Sequence, residues 1–526
     1  MTFEDMLCDK EVVNMRIRRD LRNRPGEAVV CPATTFPDAH ACYDSQPVMP
    51  ALALEEQSNM NTMTARYALA AITMVGVFSS ALAQERVIAI TDVTVIPMDR
   101  ERTLTSQTVV IRGQRIVEVG DARRVRVPNG AHRVDGRGKF LIPGLAEMHG
   151  HIPGVNAPPQ LVNDILYLYL ANGVTTVRGM LGSPNHLTLR AAAAKGEIAS
   201  PTIIAGAPSL NQNSTPSPEA AITLVTQNVQ AGYDFQKVHP GPSRATYDSA
   251  VAVARRHNFT LAGHVPAQVG LRRVLEVRQH IDHLDGYLEA AVPEAINARI
   301  IHPTETISFS EVIRAIQSER IPELVRATMA ARVYNAPTMY LWENFFGEVN
   351  YDSLAALPEM RYMPAQQVQN WINQKKNRLQ ADAQEGLTAA DRATLLGFRR
   401  TLLKALADGG APIVMGSDAP QMFNVPGFSI QHEARVMAAA GMTPFQILQS
   451  GTTNVARYVS EVLRQDGDFG SIAAGKRADL MLLDRNPLQD IANLRDPAGV
   501  MVRGRWYPAE ELKRELQAIA RRNPRN

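Results

Sequence analysis

A chain of 526 residues has room for a large domain and a smaller companion, and 45% hydrophobic with 20% charged residues is an ordinary globular composition. The formal net charge is +3 with histidine neutral, and no long basic run is flanked by aromatics, so no nucleic-acid partner is expected. Cys8, Cys31 and Cys42 all precede the main body, so a metal there must be held by histidine, carboxylate or a modified lysine.

In chain order, residues 1–62 are irregular and read as an over-extended or disordered N-terminal stretch, with a natural start at Met60 or Met63. Arg66, the apolar run 67–78 and the Ala81-Leu82-Ala83 cleavage pattern give residues 63–83 the layout of a secretory signal peptide. The run is short for a membrane span and contains Thr73. A periplasmic or secreted protein is therefore expected, mature from about Gln84 and without a stable span once the signal is removed.

Residues 84–142 are β-like, with β-branched runs at 88–96 and 108–111 and turns at Gly113-Gln114 and Gly120-Asp121. Residues 143–460 alternate apolar strands with helical stretches, which predicts an α/β fold with parallel strands. Strands placed near 145–151, 173–178, 201–206, 234–238, 259–264, 279–283, 331–338 and 412–418 make a (β/α)8 TIM-like barrel. The charged, helix-prone segment 358–406 reads as an insertion over its mouth. Residues 461–508 return to β character, and the two flanking segments are expected to join in one small β-sandwich. Residues 509–526 read as a basic, solvated helical tail.

Chemistry concentrates at predicted strand ends. In Pro143-Gly144-Leu145-Ala146-Glu147-Met148-His149-Gly150-His151, strand alternation puts His149 and His151 on one side, where two imidazoles can grip one ion. Gly150 between them asks for no room on the other face. Asp418 ends the apolar stretch 411–417 and suits either a metal ligand that accepts a proton or a cap on the following helix. His264 ends a short apolar strand; of His280 and His283, three apart, the latter stands nearer the loop and is the chosen ligand. Lys237 is the odd member, because a free ammonium beside divalent cations is repelled. Its spacing fits either a pair with Asp234 or a substrate acid, or a CO2-derived carbamate supplying the missing anionic bridge. Arg178, His239 and His302 follow or end predicted strands and are the candidates for meeting a substrate carboxylate.

The set Pro143-Gly144-Leu145, His149, His151, Lys237, His264, Ile281-Asp282-His283 and Gly416-Ser417-Asp418 resembles the amidohydrolase superfamily, in its imidazolonepropionase-like and prolidase-like branch. The resemblance runs from about residue 87 to 507 and includes Gly451-Thr452-Thr453-Asn454 and Gly475-Lys476-Arg477-Ala478-Asp479. It implies two divalent ions, usually zinc, bridged by carboxylated Lys237 and a hydroxide that attacks a carbonyl, with Asp418 shuttling the proton to the departing nitrogen. This sequence departs from the pattern in carrying Glu147 where many relatives have aspartate. It also lacks the aromatic that several dipeptidases place after the histidine matching His264, since His264-Val265-Pro266 stands here.

The expected activity is hydrolysis of a C–N amide or peptide bond in a dipeptide or N-acyl amino acid. The rivals are a mononuclear cyclic amidase or deaminase, and a non-catalytic secreted binding protein on the same scaffold. The partner is a small molecule or short peptide, and a homo-oligomer is left open.

Overall fold

The computed structural model describes residues 87–302 and 307–524. The expected N-terminal stretch 1–62 and signal peptide 63–83 lie outside the described residues. From the N-terminal side come β1 (Val87–Val95), β2 (Leu104–Arg112), β3 (Arg115–Asp121), β4 (His132–Asp135) and β5 (Phe140–Pro143). The central strands are β6 (Leu145–Gly150), β7 (Val174–Gly179), β8 (Thr202–Ala205), β9 (Gln236–Val238), β10 (Leu261–Gly263), β11 (His280–Asp282) and β12 (Asn335–Ala336). The C-terminal strands are β13 (Leu480–Leu483), β14 (Gly499–Val502) and β15 (Arg505–Pro508).

The fold is mixed α/β. The two flanking segments merge into one sheet in the order β15-β14-β13-β5-β1-β2-β3, with β4 also beside β1. Their seam is antiparallel, Leu480 facing Pro143 and Leu483 facing Phe140. Ile88, Ile90, Val109, Ile111, Leu480 and Leu482 share a small core there, distinct from the main one.

The central strands pair in parallel as β6-β7-β8 and as β9-β10-β11-β12. Parallel bridges Gly206–Phe235 and Leu210–Val238 connect the exit of β8 to β9. Asn335–Ile413 and Gly150–Ala419 set residues 413–419 between β12 and β6. The strand expected at 412–418 is thus held at its ends but not extended throughout, because Asp418 adopts a left-handed φ of 62°. Every residue of β7, β9, β10 and β11 is buried, as strands covered on both faces require. The intervening helices have explicit end signals. Pro218–Ala231 starts with Ser217 accepting from the Ala220 N–H and stops at left-handed Gly232.

One expectation gains detail and one is corrected. The segment 358–406 forms a 3-10 turn (Pro358–Tyr362) and two long helices, Ala365–Gln384 and Ala389–Asp408, the second fastened to the strand ends. Its Arg399 donates to the carbonyls of His283 (2.6 Å) and Pro337 (3.2 Å), tying it to the strand ends. The tail helix Ala509–Arg522 is not wholly solvated, since Leu512 and Ile519 are buried and Arg522 pairs with Asp164. Among the described residues no helix is long and apolar enough to cross a membrane.

Candidate active site

The site forms where the central strands end. A Cβ on Gly150 would lie 2.9 Å from Tyr169 Oη, Glu147 Cγ and Val177 Cγ2, so only glycine fits between His149 and His151. The register of β6 against β7 shifts between Glu147 and Gly150, which breaks strict alternation and lets His149 turn to the interior that Met148 also faces. Glu147 fastens this end to the chain before Asp418. Its Oε1 accepts from the backbone N–H of His149 and of Ser417, both at 2.9 Å, and Oε2 lies 2.5 Å from the Ser417 hydroxyl. Burial pushes the Glu147 carboxyl up to about 8.

His264 follows Gly263, whose φ of 140° and close approach to the Val238 carbonyl (2.1 Å from an added Cβ) exclude a side chain. His283 leaves β11 through a left-handed φ of 59°. The imidazoles form a row, with centroid separations of 5.5 Å for His151–His149, 4.5 Å for His149–His283 and 4.7 Å for His283–His264. Ligand atoms of buried His149, His283 and Asp418 all lie within 4.8 Å of one another. His151 Nε2 is 2.7 Å from Asp418 Oδ1, and the Nε2 atoms of His149 and His283 are 3.5 and 3.8 Å from that carboxylate. Lys237 is buried on β9, its Nζ 3.2 Å from Asp282 Oδ2.

These donors fit a divalent cation. His264 Nδ1 is 2.8 Å from Asp285 Oδ2 and His283 Nδ1 is 2.7 Å from Thr338 Oγ1, so each ring turns Nε2 towards the centre. His149 Nδ1 lies 3.2 Å from Asp282 Oδ2, close enough for an ion pair but off the hydrogen-bond axis. Burial holds His149 down to about 4 and His283 well below its usual value, which keeps both rings neutral and able to ligate. Burial alone would raise Asp418, but the imidazoles packed around it, His151 through its hydrogen bond to Oδ1 among them, outweigh it and hold the carboxyl well below its usual range.

The Amidohydrolase family pattern matches residues 140–507, well over half of the chain. The chain belongs to the amidohydrolase family. No curated protein matches this amidohydrolase. Among solved structures, bottromycin amidohydrolase is 22% identical with a TM-score of 0.63, covering 82% of this chain and 91% of its own. An Xaa-Pro dipeptidase with bound methionine is 18% identical with a TM-score of 0.57, covering 80% of this chain and 100% of its own. A candidate prolidase from Bifidobacterium longum is 22% identical with a TM-score of 0.57, covering 82% and 99%. They share the fold, in keeping with the prolidase-like branch, and the family makes this chain a hydrolase of carbon–nitrogen bonds.

In this amidohydrolase the three candidate substrate residues part company. Arg178 is completely buried, with Nε on the Met148 carbonyl (2.7 Å), Nη1 on Tyr458 Oη (3.1 Å) and Nη2 on His280 Nε2 (3.0 Å) and Asp282 (3.1 Å). The structure thus gives Arg178 partners inside the protein, on Met148, Tyr458, His280 and Asp282. His302 is exposed at the end of the helix Glu294–Ile301, and among the described residues no ring contact or hydrogen bond joins it to the histidine row. His239 does reach the row, 5.1 Å from the His264 ring.

Asp282, between Ile281 and His283 at the end of β11, is a functional residue that the strand-end pattern does not single out. It is fully buried among Lys237, His149, Arg178 and His280, at 3.2, 3.2, 3.1 and 3.3 Å. The signal was there in the sequence: His280 and Asp282 are two apart on one strand and face the same way. Asp285 and Thr338, which orient two imidazoles, carried no comparable signal because they stand in turns beyond the strands.

Proposed function

We propose that this amidohydrolase cleaves an amide or peptide bond in a dipeptide or N-acyl amino acid, with His149, His151, Lys237, His264, His283 and Asp418 holding two divalent ions, zinc by preference. The observation that carries the reading is the convergence of His149, His283 and Asp418 within 4.8 Å, with His151 on the same carboxylate. Bound divalent ions supply Lewis acidity and a water-derived nucleophile at neutral pH. The ionised Asp418 carboxylate, with His151 on its Oδ1, accepts a proton there and returns it to the departing nitrogen. Carboxylation of Lys237 would turn a buried cation into an anion and leave Asp282 to Arg178, His280 and His149. The substrate class draws support from the dipeptidase and prolidase neighbours.

The parallel bridges on both sides of residues 413–419 support closure of the central strands as a (β/α)8 barrel spanning 143–460. The flanking segments 84–142 and 461–508 would then curl around their own core as a small sandwich, ahead of the tail 509–526. Residues 63–83 support export to the periplasm or beyond. One observation favours a mononuclear cyclic amidase or deaminase: Lys237 is paired with Asp282. Metal content separates the two, one ion per chain against two.

The test is a screen of dipeptides, N-acyl amino acids and lactams with zinc-loaded protein and its Asp418→Asn variant. Hydrolysis of the first or second class, lost in the variant, is the expected result. Turnover of lactams alone favours the mononuclear reading, and full activity in the variant contradicts the role of Asp418.

A further inference from the structure

His239 extends the histidine row by one ring that the ligand set does not use. Alternation along Phe235, Lys237 and His239 puts all three on one face of the chain running through β9. That face is interior: Phe235 is buried under the Arg178 guanidinium, 5.4 Å from its ring centroid, and Lys237 meets Asp282. The His239 ring stacks on His264 with an interplanar angle of 29° and is half-buried. Its backbone is pinned as well, the N–H donating to the Leu210 carbonyl at 2.9 Å.

One hydrogen bond distinguishes its two ring nitrogens. His239 Nδ1 lies 2.5 Å from Ser209 Oγ, which is itself buried. Nδ1 is the acceptor within reach of the Ser209 hydroxyl proton among the described residues. With the Ser209 hydroxyl donating to Nδ1, the ring proton resides on Nε2. Nε2 has no protein partner among the described residues, so a neutral N–H donor is left free at this end of the row. A donor of this kind recognises an oxygen rather than a substrate ammonium.

The row also has a direction. Asp418 touches His151, His149 and His283 at one end, and His239 lies beyond His264 at the other. With a departing nitrogen placed at Asp418, the His264 and His239 end of the row is the side left to the carbonyl oxygen. We propose that His239, held in its Nε2–H tautomer by Ser209, is a further catalytic residue that donates a hydrogen bond to the scissile carbonyl oxygen as negative charge develops on it. This rests on the hydrolytic reading above and adds the group that meets the oxygen.

The experiment compares wild type, His239→Leu, His239→Gln and Ser209→Ala, each loaded with zinc. Kinetics use an Xaa-Pro dipeptide and an N-acetyl amino acid; binding of a phosphonate analogue of the substrate is followed by calorimetry, and bound metal is measured on the same samples. Loss of a single oxyanion donor lowers kcat about 100-fold, so His239→Leu is expected to show that loss with KM little changed. Analogue binding should weaken in parallel and metal content should equal that of wild type. His239→Gln, which keeps an N–H donor, should recover part of kcat, and Ser209→Ala, which keeps the ring and frees its tautomer, should fall between. A raised KM with unchanged kcat overturns the proposal, because the residue then binds the ground state. Loss of metal in His239→Leu overturns it too, because the residue is then a ligand. An active wild type matched by His239→Leu in both kcat and analogue binding removes this inference alone, whereas metal-loaded wild type that hydrolyses neither probe removes the hydrolytic reading and this inference with it.

Discussion

Asp282 holds two buried cationic side chains, Arg178 and Lys237, and its own ionisation follows from them: burial opposes the charge, but His149 and Lys237 keep the carboxyl well below its usual range. In metal-free protein, Asp282→Ala leaves both cations without their counter-charge, and urea unfolding should show a loss of about 3–5 kcal/mol. Asp282→Asn keeps the shape and should cost less; an alanine variant as stable as wild type would contradict the role. Asp418→Asn behaves differently, because the side chain lies among ligating atoms rather than at the centre of a charge cluster. Its unfolding midpoint should stay near wild type while kcat falls at least about 100-fold, the range of lost acid–base catalysis. The imidazoles and Asp418 were legible because each stands at the end of an apolar strand. Asp282 was within reach of alternation from His280, whereas Thr338 was not legible, because left-handed turns at His283 and Thr338 aim residues that simple alternation cannot follow.

At the scale of elements, apolar runs closed by glycine or a polar residue located the central strands to within a few positions. The stretch 412–418 was the exception, for the backbone reason that also aims Asp418. The two long helices between β12 and residue 413 looked alike in composition, and only tertiary contacts such as those of Arg399 separate the one bound to the strand ends. The other, Ala365–Gln384, is anchored by Lys375, whose Nζ donates to the carbonyls of Asn344 (2.6 Å), Phe345 (2.9 Å) and Gly347 (3.3 Å). These close the helix Met339–Phe346, which begins just after Thr338, the partner of His283. Lys375→Met strands those buried carbonyls and should cost about 1–3 kcal/mol. Amide exchange over 339–347 should quicken first; unchanged exchange there would refute the anchoring role.

The whole molecule depends on a seam between segments more than 330 positions apart, since β13 pairs with β5. The β character of each segment was readable locally, but their pairing register was not, because it depends on which edges remain free after the central strands assemble. A chain ending at residue 470 lacks β13–β15, exposes the edge of β5 and uncovers the core of Ile88, Ile90 and Ile111. It should be recovered as aggregate by size-exclusion chromatography; a monomer with wild-type circular dichroism would show the seam to be dispensable. The central claim, that strand ends scattered along the chain assemble a metal-dependent hydrolytic centre, is tested most directly by elemental analysis of purified, dialysed wild-type protein beside a His149→Ala/His283→Ala double variant. The account predicts two divalent ions per chain in the wild type and their loss from a variant that still folds. Well-folded wild-type protein that retains no metal after zinc loading would contradict it.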